Sequence, residues 1–279
     1  MTMRNWIYVV LLAPAVWSCE KTVLLDLKQA PPKVVIEAQV TDRPGRQFVK
    51  ITRTAGFYDS GETPRITDAL VEVEDDLGTV FPFVHNPNDH PDSAGIYLPA
   101  APFTGVIGRT YYLTVVADGQ TFEAQDKLLN VIPIDSIKYR VNPEEAKDPK
   151  DKGKIYELLI FAREPQEEIN FYLFKFYRND SLVYYNDSDI YGSDDELLGE
   201  KIDGVPSPVF YKLGDWAKVE FYSLSRQGYV FYNDLWGLLN NDAGGMFGPI
   251  PASPRTNLTN GALGFFQVSA LKDFEILLE

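Results

Sequence analysis

The stretch VVIEAQVT, residues 34–41, alternates apolar and polar positions with a period of two. Val34, Ile36, Ala38 and Val40 share one face, and Glu37, Gln39 and Thr41 share the other. That period is the signature of a half-buried strand, because successive side chains of a strand point to opposite faces. The same reading extends to 47–53 (QFVKITR), 69–74 (ALVEVE), 79–84 (TVFPFV), 95–98 (GIYL), 110–117 (TYYLTVVA) and 120–125 (QTFEAQ). Asp118-Gly119 separates the last two and marks a tight hairpin, since both central turn positions require positive φ. Short strands punctuated by turn residues predict a β-sandwich over residues 33–129.

Asn130-Val131-Ile132-Pro133 reads as a linker, because proline withholds a donor from a central ladder. Beyond it, 136–141 (SIKYRV) opens a second β-rich domain spanning 130–279, followed by the charged loop 143–153 (PEEAKDPKDKG). The segments 155–162 (IYELLIFA) and 170–178 (NFYLFKFYR) are apolar at nearly every position, as strands covered on both faces are. After strand 216–222 (WAKVEFY) the period changes. Phe231, Tyr232, Leu235, Trp236, Leu238 and Leu239 recur at three and four, which predicts one amphipathic helix near 225–241. Ser225 is its candidate N-cap, and Asp242-Ala243-Gly244-Gly245 its stop. Strands at 261–268 and 274–278 close the chain.

The N-terminus has a different purpose. Arg4 precedes an apolar run, Trp6 to Val16, of signal-peptide length and about half of what a spanning helix needs. Val16-Trp17-Ser18-Cys19 then resembles a lipobox, with an aliphatic residue three before the cysteine and a small one just before it; Trp17 departs from the usual pattern. The reading is a signal peptide over 1–18, cleavage before Cys19, covalent lipid on Cys19, and a tether over 19–32. Each buried methylene of a lipid chain contributes about 0.8 kcal/mol, so several chains on one cysteine hold a protein at a bilayer. Cys19 is the only cysteine, which excludes an intramolecular disulfide and a Cys-based zinc cluster.

The formal charge is −14, and one more negative without Arg4. Nucleic-acid binding needs a basic patch, so no nucleic-acid partner is expected. Only His85 and His90 are present, both in the loop HNPNDHPD (85–92), and no G-x-S-x-G turn occurs; no catalytic residues are assigned. His85, Asp89, His90 and Asp92 match no standard zinc spacing, so a solvated loop is preferred. Around DSDIYGSDDE (187–196), Asp187, Asp189 and Gly192 fall at the first, third and sixth places of a calcium loop. Tyr191 and Leu198 break the pattern, however. Asp187, Asp189, Asp194 and Asp195 are thus the nearest approach to a metal site, with an ordinary acidic loop the preferred reading and no cofactor beyond the lipid expected. Tyr184, Tyr185, Tyr191 and Trp236 are the aromatics that could meet a glycan.

In order along the chain, Cys19-Glu20-Lys21, VVIEAQVTDRPG (34–45), VKITRTAGFYD (49–59), ITDALVEVEDDLGT (66–79), GRTYYLTVVADGQTFEA (108–124), PIDSI (133–137), YSLSRQGYVFYNDL (222–235) and NLTNGALGFF (257–266) resemble a family of Bacteroidota lipoproteins, the domain of unknown function 4249. The resemblance implies an N-terminal sandwich of immunoglobulin-like or carboxypeptidase-regulatory-like type. It also implies an outer-membrane lipoprotein accessory to a TonB-dependent transporter or to an outer-membrane assembly, and it supplies no catalytic residues to carry over. A surface glycan- or peptide-binding lipoprotein is the alternative.

Overall fold

The computed structural model describes residues 31–279 apart from 57–60, 62, 87–88, 164–169, 187, 195–200 and 241–252. Alternation in the opening stretch produces β1 (Val34–Thr41), whose Val34, Ile36, Ala38 and Val40 are buried. Its antiparallel neighbour is β2 (Phe48–Arg53). The sheet continues through β3 (Leu70–Asp75), β4 (Val80–His85), β5 (Ile96–Pro99), β6 (Thr110–Ala117) and β7 (Gln120–Lys127). The hairpin between β6 and β7 turns at Asp118 and Gly119, with φ of 54° and 72°, as that dipeptide predicts.

The free edge of β1 is not left open. It pairs in parallel with β15 (Leu263–Ser269), drawn from the far end of the chain, to give the order β15-β1-β2-β5-β4-β3-β6-β7. Gly264, at φ +99°, permits this approach: a Cβ there would stand 2.0 Å from the Ile36 carbonyl oxygen. The two edge strands then nearly meet. A parallel bridge joins Leu129 to Ser269, the Val268 N–H donates to Asp126 Oδ2 at 2.9 Å, and Asn257 Nδ2 donates to the carbonyls of Gln125 and Phe266. The sheet of this first half is curled into a near-barrel, its seam stitched by side chains.

The second half supplies two further sheets. One has the order β13-β9-β8, from β8 (Ile134–Val141), β9 (Tyr156–Arg163) and β13 (Lys201–Tyr211). The other is built on β10 (Phe171–Arg178), β11 (Ser181–Leu182), β12 (Tyr191–Asp194), β14 (Trp216–Leu224) and β16 (Leu271–Leu277). The chain is therefore mainly β with a single described helix, α1 (Arg226–Asn240).

One expectation is corrected. The linker at 130–133 marks a change of sheet, not a domain boundary, and Pro32–Glu279 forms one compact unit. An unpaired β1 edge would expose a row of backbone donors and acceptors, and covering it with β15 ties the last segment of the chain to the first sheet. One apolar core accordingly runs from Ile36 and Val115 through Phe176 and Val219 to Leu278. Strand β13 was not among the expected strands, and it carries Gly204, Pro206 and Pro208. It is an edge strand whose register shifts between Asp203 and Val205 and again between Pro206 and Phe210, which is where a sheet tolerates such residues.

Candidate functional site

Strand β14 runs directly into α1. Ser225 caps the helix, its Oγ accepting the Gly228 N–H at 3.1 Å, as the sequence predicts. The expected stop at Asp242–Gly245 lies outside the described residues. An amphipathic helix normally sinks its apolar stripe into the sheet beneath. Here Gly228 alone among the helical residues is buried, while Trp236 and Leu239 are 51% and 45% exposed.

A few contacts prop the helix in place. Tyr229 stacks on Phe171 with centroids 4.7 Å apart and donates its hydroxyl to Asp194 at 2.9 Å. Phe231 stacks on Phe265 at 5.0 Å, and Tyr232 donates to Gln267 Oε1 at 2.6 Å. On the outer side Asp234 takes Arg255 through both carboxylate oxygens.

Between these props lie three clefts. One of about 480 Å³ separates α1 from β1, β2 and β15, and is walled by Val35, Phe48, Phe231, Leu235, Leu238 and Leu263. A second, of about 340 Å³, lies toward β10 and includes Tyr184 and Leu239. A third, of about 460 Å³, opens between α1, β12 and β13 and includes Trp236, Pro206 and Pro208. Mostly apolar walls with few polar groups, at this size, are the makings of a small-molecule or peptide site.

The polar groups come from neighbouring strands. Lys175 of β10 pairs in register with Glu220 of β14, so both project from the same face of their sheet. Glu220 is fully buried and accepts hydrogen bonds from Tyr177 and Tyr222 hydroxyls, each at 2.7 Å, and from Arg46 in the β1–β2 loop at 2.5 Å. Burial alone would raise its carboxyl, but the two hydroxyls and the guanidinium outweigh burial and hold it below its ordinary value. Burial, reinforced by Glu220, raises both phenols. Lys175 has its ammonium 4.9 Å from the Tyr222 ring centroid, and burial lowers its pKa despite the pull of Glu220 and Glu37. It lines both the first and the second cleft, as do Glu37, Tyr232 and Leu235.

Several expected site residues are placed elsewhere or lie outside the described residues. Cys19, Asp187 and Asp195 are among the latter. Asp189 Oδ2 accepts the backbone N–H groups of Tyr185 and Asn186, closing its own turn. Asp194 lies in β12 and is occupied with Tyr229. Of that segment, Tyr191–Asp194 is a strand paired with β10. His85 Nε2 accepts the Gly95 N–H at 2.9 Å, and His90 Nδ1 stands 3.8 Å from Asp92, apart from any further ligand set among the described residues. Tyr184 and Trp236 are exposed at cleft mouths, whereas Tyr185 accepts the Phe210 N–H. Sequence reasoning missed Lys175, Glu220 and Arg46; the available signal was a lysine inside the otherwise apolar strand NFYLFKFYR.

The family model for the domain of unknown function DUF4249 matches residues 20–274, from just after Cys19 through most of β16. The chain belongs to that family. No match was found among curated proteins. In this DUF4249 member the matched span takes in every element that builds the clefts, so the helix and the strands around it are part of the family's own domain.

Proposed function

We propose that this chain is a non-enzymatic outer-membrane lipoprotein, anchored through lipid on Cys19, whose body captures a ligand as an accessory to a TonB-dependent transporter. The observation that carries the binding role is α1, an apolar-faced helix held off its sheets so that its side chains wall three clefts. Leaving apolar area uncovered forgoes roughly 25 cal/mol per Å² of stability, an arrangement expected where the area serves recognition. The anchor rests on Val16-Trp17-Ser18-Cys19 after a short apolar run. The exposed rings of Tyr184 and Trp236 at the cleft mouths favour a second reading, a surface glycan- or peptide-binding lipoprotein without a fixed protein partner.

Two measurements test this. In fractionated cells the wild type is expected in the outer membrane, and Cys19→Ala is expected to leave it; a variant still wholly membrane-bound would remove the lipid anchor from the proposal. After mild detergent extraction, pull-down of the wild type should bring a β-barrel transporter with it. Recovery of the lipoprotein alone, with glycan or peptide binding by the body, would replace the accessory role by the second reading.

A further inference from the structure

We infer that the cleft between α1 and the β15-β1-β2 edge of the first sheet takes a small aliphatic carboxylate, its headgroup seated on Lys175 Nζ and its tail among Val35, Phe48, Leu235 and Leu263. This rests on the reading of the helix-walled clefts as ligand sites. The walls require an apolar tail. The headgroup follows from which polar groups are still unspent.

Glu37 faces the same cleft, but its carboxylate is bridged by Lys50 at 3.2 Å and its side chain is 61% exposed, so water screens it. Gln39 Nε2 donates to the Arg46 carbonyl at 2.9 Å. Tyr232 is spent on Gln267, and Gln267 Nε2 on Ser269 Oγ at 2.7 Å. Lys175 differs from all of these: among the described residues its ammonium has neither a hydrogen bond nor an ion pair, only the Tyr222 ring. The side chain is half-buried, and that burial lowers the pKa of its ammonium despite the carboxylates nearby. A ligand carboxylate supplies the missing acceptor through a charge-assisted bond.

The local charge agrees. Around Lys175 the other charges are already paired, Arg46 and Lys218 with Glu220, Lys50 with Glu37 and Arg43 with Asp273. Glu220 is already saturated by Arg46, Tyr177 and Tyr222. The charged side chains lining the cleft are Lys175 and Glu37, and with Glu37 bridged by Lys50 the charge left to meet a ligand is that of Lys175, which favours an anion with an apolar tail over a cation.

Calorimetric titration of the body, Pro32–Glu279, with decanoate and with decanol at pH 7.5 and below micellar concentrations tests this. Decanoate should bind the wild type at least tenfold more tightly than decanol. Lys175→Met should abolish that preference while retaining decanol binding, and Lys175→Arg should keep it. Equal binding of both probes to the wild type would overturn the headgroup assignment and leave the apolar cleft standing. A decanoate preference that survives in Lys175→Met would place the anion elsewhere and overturn it too. Binding of neither probe would overturn both this inference and the reading of the cleft as a site for apolar ligands.

Discussion

Replacing Asp126 by asparagine should flatten the pH dependence of stability between pH 5 and pH 8. Asp126 sits on β7 at the seam of the near-barrel and is 6% exposed. Its Oδ2 accepts the Val268 N–H of β15 and its Oδ1 accepts the Lys127 N–H, while the Ser225 hydroxyl, the cap of α1, also donates to it. One carboxyl thus fastens the two sheet edges and the helix start together, yet among the described residues it has no ion pair. Burial outweighs the three hydrogen bonds and pushes the carboxyl from 3.8 up to about 6.

The direction of the effect follows from proton counting. Between about pH 4 and pH 6 the folded chain holds a proton on Asp126 that the unfolded chain has released, so stability falls as pH rises through that window. Each tenfold displacement of a proton equilibrium corresponds to about 1.4 kcal/mol, so the ionised carboxylate costs on the order of 3 kcal/mol above pH 6. Glu220, Asp75, Asp151 and Asp234 act the other way: their carboxyls are lowered, and what they contribute is present above the ordinary carboxylate range and lost at more acid pH. The net negative charge also relaxes on acidification, but equally in wild type and variant. Urea unfolding of Pro32–Glu279 at pH 5, 6, 7 and 8 should show the wild type losing about 1.4 kcal/mol more than Asp126→Asn across the series, most of it between pH 5 and pH 6. Parallel profiles would refute the reasoning, because the buried carboxyl would then not be titrating in that window.

Two further substitutions probe the frame of the site. Glu220→Ala leaves the Tyr177 and Tyr222 hydroxyls and a half-exposed Arg46 without their common acceptor, and should cost about 3 kcal/mol at neutral pH by urea titration. Glu220→Gln, which keeps one acceptor oxygen, should cost less, and a neutral outcome for the alanine variant would show the cluster to be solvated. Gly264→Ala places a Cβ 2.0 Å from the Ile36 carbonyl oxygen at φ +99°, so β15 must separate from β1. More than about 3 kcal/mol should be lost, or no cooperative unfolding transition seen; a transition at the wild-type denaturant concentration would mean that β15 does not close the sheet.

What the sequence revealed and what it hid divide along one physical line. Strand β1, the β6–β7 hairpin and helix α1 were legible because their signals are local: a period of two, Asp118-Gly119 at positive φ, and Ser225 ahead of a 3.6-residue stripe. Strand β13 was hidden because Pro206 and Pro208 are punctuation everywhere except at an irregular edge. The parallel β1–β15 pair joins residues more than two hundred positions apart, and no local pattern encodes a partner at that distance. The cleft inherits that illegibility: Val35 and Phe48 come from the opening hairpin, Lys175 from the middle of the chain, Leu235 from the helix and Leu263 from the closing strand. A site assembled from four separate segments has no spacing to recognise. The DSDIYGSDDE segment shows the converse, since Gly192 has the spacing of a calcium loop and folds as a strand against β10. For a cleft of this kind the informative signal is a residue type that contradicts its own element, and Lys175, the cation within an apolar strand, is that residue.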